Sequence, residues 1–443
     1  MADARLHALD LAWLEMEGSG PPIAIGNVSL AEGPAPADEE LLGMLAERMP
    51  HMPVLQRQVA GHVLRRPPMQ PSDGDALAAH LHRVRVPASP EDPARRYPGL
   101  AEAVGRVIEV RMPDDRPPWD AWVLTGLPDG RWAFVWRVHH SLMDGEGAVA
   151  TLGHAFDTEP DGGPTLADAV LLSRVGQPAA AAHRAGVLDA VRSAVPHLGP
   201  AIAGLLPHRP SSLTGPVGAR RCWACAEIPF EPVRTVRRAL GVTVNDVVLS
   251  CVAGGFAVLL GHRREPVRGR VVRNLSPVSL RPLGDDEPGN HISALLSPLP
   301  VGVADPVERL RRIAAGARHG KDAREPVLVG LLLGAVDHAV PAPVQDLAIS
   351  TAGRTLPAWF FDTITSNVPG PRVPLYLVGR RLRAMFPIIP VAGHTAITTG
   401  VFSYAGTLCV GVTGDADRAG DVDVLARGIA SSADDLFQRV GSR

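Results

Sequence analysis

The chain has 443 residues, 46% hydrophobic and 20% charged, which is enough for two or three packed domains and too apolar for disorder throughout. Its formal net charge is -2, and its 44 basic residues, nearly all Arg, are dispersed apart from short clusters such as Arg263-Arg264 and Arg380-Arg381. No large positive field for nucleic acid follows from this pattern; the arginines read as solvated surface.

The N-terminus, MADARLHALDLAWLEMEG, is too acidic and too short in apolar run for a secretory signal. Glu39 to Met49 has helical spacing of apolar residues. Trp122 to Thr125 and Trp132 to Val138 read as paired strands around the turn LPDG, and the second strand ends at His139-His140. After Gly145, GAVATLGHAF reads as a helix. These elements form a first domain over residues 1–160. From Pro160 to Pro216 the composition shifts toward Ala, Gly, Pro and Leu, so 161–216 reads as a helical crossover linker.

A second α/β domain is expected over 217–443. Of the four cysteines, Cys222 and Cys225 form a CxxC, but no second metal-ligand pair follows at zinc spacing. The pair reads as small residues filling a strand rather than as a redox or zinc motif. Val242 to Leu260 is apolar on nearly all faces, the mark of a buried helix, and Thr243 or Asn245 can cap it. Val301 to Lys321 carries an amphipathic helix. The C-terminal third alternates strands and turns, as in FDTITSNVPGP and TAITTGVFSYAGTLCVGVTGD. The longest apolar runs, Val247 to Gly261 and Val327 to Val336, fall short of the roughly 20 residues of a membrane span. A cytoplasmic location is expected; peripheral contact with a membrane or lipid droplet needs no spanning helix.

The segment richest in chemistry is His139-His140-Ser141-Leu142-Met143-Asp144-Gly145. Adjacent histidines at a strand end point to opposite sides, so one can line a cavity while the other supports the turn. The same geometry makes it hard for both to share one ion, and no metal site is expected. An imidazole with a pKa of about 6.5 is mostly neutral at pH 7 and accepts a proton from a hydroxyl, as acyl transfer requires. Asp144 either orients the imidazole or turns away to pair with an arginine and brace the loop; its spacing favours the brace, with Arg281 as one candidate partner. Gly145 permits a sharp turn.

HHSLMDG resembles the HHxxxDG motif of the bacterial wax ester synthase/diacylglycerol acyltransferase family, a motif shared with condensation domains and related to that of chloramphenicol acetyltransferase-like enzymes. Further segments are similar to that family: LHALDLAWLEMEGSGPPIAIG (6–26), RPPWD (116–120, its PLW element, holding Trp119 as structural support), TVNDVVLSCVAGG (243–255), SPVSLR (276–281), PGNHISALLSPLP (288–300) and SNVPGPRVPLYLVG (366–379). The resemblance implies an α/β fold of two chloramphenicol acetyltransferase-like domains, each a mixed sheet with flanking helices, forming a channel at their interface. Acyl-CoA enters one mouth and a hydroxyl acceptor the other. It implies His140 as general base, with His139, Asp144 and Gly145 in its supporting loop. Asn245 and Asp246 map to an Asn-Asp pair that stabilises the site, although Asn245 alone is equally well read as a helix cap. Ser366 and Asn367 can face the channel, or Asn367 can serve only the Pro-Gly turn. Two positions depart from the family: Pro118 replaces a Leu, and Ile397-Thr398-Thr399 stands where Leu-Asn-Ile is usual, so Thr398 offers one hydroxyl in place of an amide.

The activity so implied is transfer of a fatty acyl group from CoA to a long-chain alcohol or diacylglycerol, giving wax ester or triacylglycerol without a metal or redox cofactor. Two alternatives keep the fold: a specialised acyltransferase acting on a small metabolite, and a lipid-binding scaffold without turnover. The intact HHSLMDG counts against the second. A condensation-type reaction on carrier-bound thioesters is a further reading, weakened because no carrier segment is evident in the chain.

Overall fold

The computed structural model describes residues 4–5, 10, 13–14, 17, 23–59, 68–71, 77–87, 97–113, 115–169, 211–279, 292–322 and 361–441. Three short strands, β1 (Ala4–Arg5), β3 (Arg57–Val59) and β4 (Pro68–Pro71), make a small antiparallel sheet. Each half of the molecule is built on a six-stranded sheet.

Trp132 to His139, the strand β7, is buried at every position. A run of aromatic and β-branched residues with no polar face belongs inside a sheet covered on both sides. β7 lies third of six from one edge, between β2 (Ala24–Ala31) and β6 (Trp119–Thr125), with β5 (Leu81–Arg85) outermost beyond β6. The β6–β7 hairpin turns through Pro128–Gly130, where Asp129 and Gly130 both have positive φ, 60° and 67°. Helices α1 (Asp38–Arg48) and α2 (Pro98–Glu109) follow in this half, and α3 (Gly145–Leu152) leaves the histidine turn. The remaining two strands of the sheet come from far along the chain: β12 (Tyr376–Leu377) and β13 (Arg380–Ile388), the latter pairing antiparallel with β2. The chain after residue 217 therefore divides its strands between both sheets.

The second sheet runs β10 (Ile292–Leu296), β9 (Asn274–Ser279), β11 (Thr363–Val368), β14 (Ile397–Tyr404), β15 (Thr407–Asp415) and β8 (Arg221–Pro229). β11 is parallel to both its neighbours; the other pairs are antiparallel. Its helices are α4 (Phe230–Leu240), α5 (Val244–His262), α6 (Pro306–Asp322) and α7 (Val422–Gly441). α5 is, among the described residues, the one helix long and apolar enough to cross a membrane by composition. It packs instead in the core against α7, with Val247, Val252, Phe256 and Leu259 fully buried. Leu425, Ile429, Ala433 and Leu436 form the inward stripe of α7.

The two halves meet along a polar and apolar seam. Gly400 and Gly411 are cross-strand partners in β14 and β15, and a Cβ at either would collide with Pro387 of β13. The two glycines make a notch for that proline. The Tyr404 hydroxyl donates to Leu382 C=O at 3.0 Å and accepts from Leu375 N–H at 2.8 Å. Trp223 meets Phe386 edge-on, centroids 5.9 Å apart. Each contact joins the sheet of β14 and β15 to the strand or segment that has crossed into the other sheet.

Candidate active site

The site is assembled at the end of β7. His139 is its last residue and pairs with Ala24, while His140 opens the following turn. The Ser141 N–H donates to His139 Nδ1 at 3.1 Å, and the Ser141 hydroxyl lies 2.7 Å from the same nitrogen. Nδ1 must therefore carry a lone pair, which puts the ring proton on Nε2. Nε2–H donates to Glu17 Oε2 at 2.6 Å. The His139 carbonyl accepts from Leu142 N–H at 3.0 Å, so this residue ties the turn from both its ring and its backbone.

His140 is differently placed. Its imidazole stacks on the Trp13 indole, centroids 4.4 Å apart and planes 13° apart, and retains 8% of its exposure. Its backbone N–H donates to Ile23 C=O at 2.9 Å. The two rings thus have separate partners, as adjacent positions at a strand end dictate.

Asp144 is the N-cap of α3: its carboxylate accepts the Gly147 N–H at 2.7 Å while its carbonyl accepts from Ala148 N–H. Arg281, the partner suggested by the sequence, lies outside the described residues. Gly145 is the first residue of α3 and is not in the left-handed region, so the turn needs no glycine dihedral there. A Cβ on Gly145 would stand 3.7 Å from Val368 Cγ2. That proximity brings the histidine turn of the first half against the end of β11 in the second.

Asn367 precedes Val368 on β11, and its Nδ2 donates to Asn245 Oδ1 at 3.2 Å. Asn245 is in the first turn of α5 but does not cap it. Thr243 does: its hydroxyl accepts from Asp246 N–H at 3.1 Å and the Asp246 carboxylate accepts from Thr243 N–H at 2.8 Å, a reciprocal capping box. Asp246 is buried and committed to this cap. Ser366 is half-buried on β11, opposite Gly400. Thr398 is fully buried and its hydroxyl donates to Ile389 C=O at 2.9 Å, across the seam. Of the residues singled out in the sequence, His139, His140, Asp144 and Gly145 share one turn, and Asn367 with Asn245 stands beside it; Asp246 and Thr398 are occupied elsewhere. Trp119 supports the sheet from below: it stacks on His80 at 4.0 Å, and its Nε1–H donates to Leu55 C=O at 2.8 Å.

Trp13 and Glu17 join the site although no short motif singles them out. Glu17 is nearly buried, accepts from His139 and from Ile23 N–H (3.2 Å), and has Arg111 at 3.5 Å. Burial alone would push its carboxyl upward; the hydrogen bonds from His139 and Ile23, with the Arg111 charge, outweigh this and hold it below the ordinary glutamate value. A hint lies in the spacing, since residues four apart on a helical turn share a face.

A cavity of about 700 Å³ opens elsewhere, where α2 and α7 flank β8, and none of its lining residues belongs to the histidine turn. Cys222 and Cys225 line it as strand residues, with the Cys222 thiol donating to Ala419 C=O at 3.0 Å. Burial pushes the Cys222 thiol up to about 12, so it is inert as a nucleophile, in keeping with the strand-filling role read from the sequence.

The model of the wax ester synthase/diacylglycerol acyltransferase catalytic domain matches residues 6–248, and that of the family's C-terminal domain matches 288–436. A probable diacylglycerol O-acyltransferase of Mycobacterium tuberculosis is 30% identical over 440 residues, covering 96% of this chain and 94% of its own. Among solved structures, a wax ester synthase/diacylglycerol acyltransferase from Marinobacter aquaeolei VT8 superposes with a TM-score of 0.68 at 22% identity, covering 99% of this chain and all of its own. The first condensation domain of the calcium-dependent antibiotic synthetase, in complex with a substrate analogue, superposes with a TM-score of 0.60 at 18% identity, over 98% of this chain and 96% of its own. These two likenesses bear out the expected fold of two chloramphenicol acetyltransferase-like domains. With both family models matched in order and HHSLMDG in place at the end of β7, the chain belongs to the wax ester synthase/diacylglycerol acyltransferase family.

Proposed function

We propose that this acyltransferase moves a fatty acyl group from CoA to the hydroxyl of a long-chain alcohol or diacylglycerol, with His140 as general base. The observation that carries the proposal is the intact histidine turn at the seam of two halves whose family match runs through nearly the whole chain. In the proposed reaction the imidazole removes the hydroxyl proton as the oxygen attacks the thioester carbonyl. The tetrahedral intermediate then expels CoA thiolate, which recovers the proton from His140. Atoms and charge balance with no metal or redox cofactor.

The His139 ring bonds Glu17 and Ser141 and so braces the turn, and His140, stacked on Trp13, is the member of the pair proposed to act on the acceptor hydroxyl. Asn245 and Asn367 are proposed to line the wall opposite, where side-chain amides meet the reacting carbonyl. Aliphatic tails would contribute about 0.8 kcal/mol of binding for each methylene buried. Substrates of this kind partition into lipid, so the proposed working location is cytoplasmic, with peripheral contact at a membrane or lipid droplet.

The test is to incubate purified protein with palmitoyl-CoA and parallel acceptors (hexadecanol, a diacylglycerol, a panel of small alcohols), following released thiol and identifying products by mass. Thiol release coupled to a wax ester or triacylglycerol is expected. Esters formed only on small alcohols would overturn the acceptor class, and the absence of any ester would overturn the reaction.

A further inference from the structure

Trp13 and Glu17 are both helical and stand four residues apart in the chain, and both meet the histidine turn. Trp13 stacks on His140, and Glu17 bonds His139. Glu17 also reaches His140 by a second route. Its Oε2 accepts the Ile23 N–H at 3.2 Å, and the Ile23 carbonyl accepts the His140 N–H at 2.9 Å. One nearly buried carboxylate therefore holds both braces of the turn. Through His139 Nε2 it fixes the tautomer whose Nδ1 accepts from Ser141; through Ile23 it fixes the backbone of the base itself.

We infer that Glu17 is a positioning residue for acyl transfer, acting through His139 and Ile23 to hold the His140 imidazole against Trp13. This rests on His140 being the base. A carboxylate suits the post because all three groups around it donate: the ring Nε2–H and the Ile23 N–H share Oε2, and the Arg111 guanidinium faces Oε1 at 3.5 Å. A glutamine of the same shape must set its amide N–H₂ either against the Arg111 cation, leaving a neutral oxygen and weaker bonds at His139 and Ile23, or against those two donors themselves. If it turns toward His139, the ring needs its lone pair at Nε2 and its proton at Nδ1, where the Ser141 N–H already points. The imidazole beside it then loses its fixed setting, and a displacement of the order of 1 Å in a reacting group costs about a hundredfold in rate.

The experiment compares wild type, E17Q, H140A and E17Q/H140A, measuring kcat, KM for palmitoyl-CoA and thermal midpoint for each. Folded E17Q is expected to lose about 10–100-fold in kcat with KM within about 2-fold, because transition-state geometry is lost and ground-state binding is not. In the H140A background the same substitution is expected to change the residual rate by less than about 2-fold, since a positioning residue has nothing left to position. Folded E17Q with a near-normal kcat, or an equally large loss in both backgrounds, overturns the inference. If E17Q fails to fold, E17D, which keeps the charge one methylene short, is used in the same design; it is expected to lose kcat without KM, and wild-type kcat overturns the inference. A fully active H140A would instead strike at the base assignment, so the two failures are distinguishable.

Discussion

The Asp144 carboxylate accepts the Gly147 N–H at 2.7 Å, so the acidic residue four positions beyond His140 closes the first turn of α3. Its known contribution is to a helix terminus, whose free N–H groups need acceptors. D144A is expected to lower stability by about 0.5–2 kcal/mol, and D144N, itself a good cap, by less. Urea denaturation of the two variants measures this. Equal midpoints for D144A and wild type would remove the cap from the account.

The buried ion pair of the first sheet sets a larger effect. Arg137 and Asp120 are cross-strand partners in β7 and β6, joined by Nε–H to Oδ1 at 2.9 Å and by Nη2 to Oδ2. The guanidinium also donates to Val110 C=O at 3.0 Å. D120A leaves an uncompensated buried cation and is expected to cost about 3–5 kcal/mol, while a double change to apolar residues, D120L/R137M, is expected to cost less than D120A alone. Chemical denaturation of both settles the order; a milder D120A would contradict it.

Tyr404 links the halves through its hydroxyl, and burial pushes that hydroxyl from 10.0 up to about 12. A raised folded value means the stabilisation is complete below pH 10 and is lost as pH rises from 10 toward 12. Y404F is expected to cost about 1–3 kcal/mol at pH 8, because Leu375 N–H loses its acceptor, and to show a smaller loss than wild type between pH 10 and 12. Denaturation midpoints across that range report both effects.

Cys222 and Cys251 should resist thiol reagents in the folded protein, since burial lifts both thiols to about 12 and leaves almost no thiolate at pH 8. Labelling followed by mass measurement should find them unmodified until guanidinium is added. Rapid native labelling of Cys222 would reopen a reactive role for the CxxC pair.

Much of the fold is written locally. The LPDG hairpin, the helix after Asp144, the all-round apolar α5 and the β14–β15 hairpin all follow from period and turn chemistry within a few residues. The inward stripe of α7 is equally local, with Leu425, Ile429, Ala433 and Leu436 at helical spacing, and it corrects the expectation of strands and turns throughout the C-terminal third. What local pattern does not carry is partnership over distance. Nothing in the period of Arg380 to Ile388 says that this strand pairs with β2 rather than with its sequence neighbours. The site divides in the same way. HHSLMDG is legible as a motif, whereas Glu17 meets His139 across 122 residues and only the fold joins them. Asn245 reads equally as cap or site from its position alone, and the fold gives the cap to Thr243.

The most direct test of the account is the turnover of H140A with palmitoyl-CoA and hexadecanol or diacylglycerol, with folding checked by thermal midpoint. Losing a positioned base should lower kcat by at least about a hundredfold, with KM for acyl-CoA little changed. A folded H140A that forms ester at close to the wild-type rate would contradict the assignment of the base, and with it the proposed mechanism.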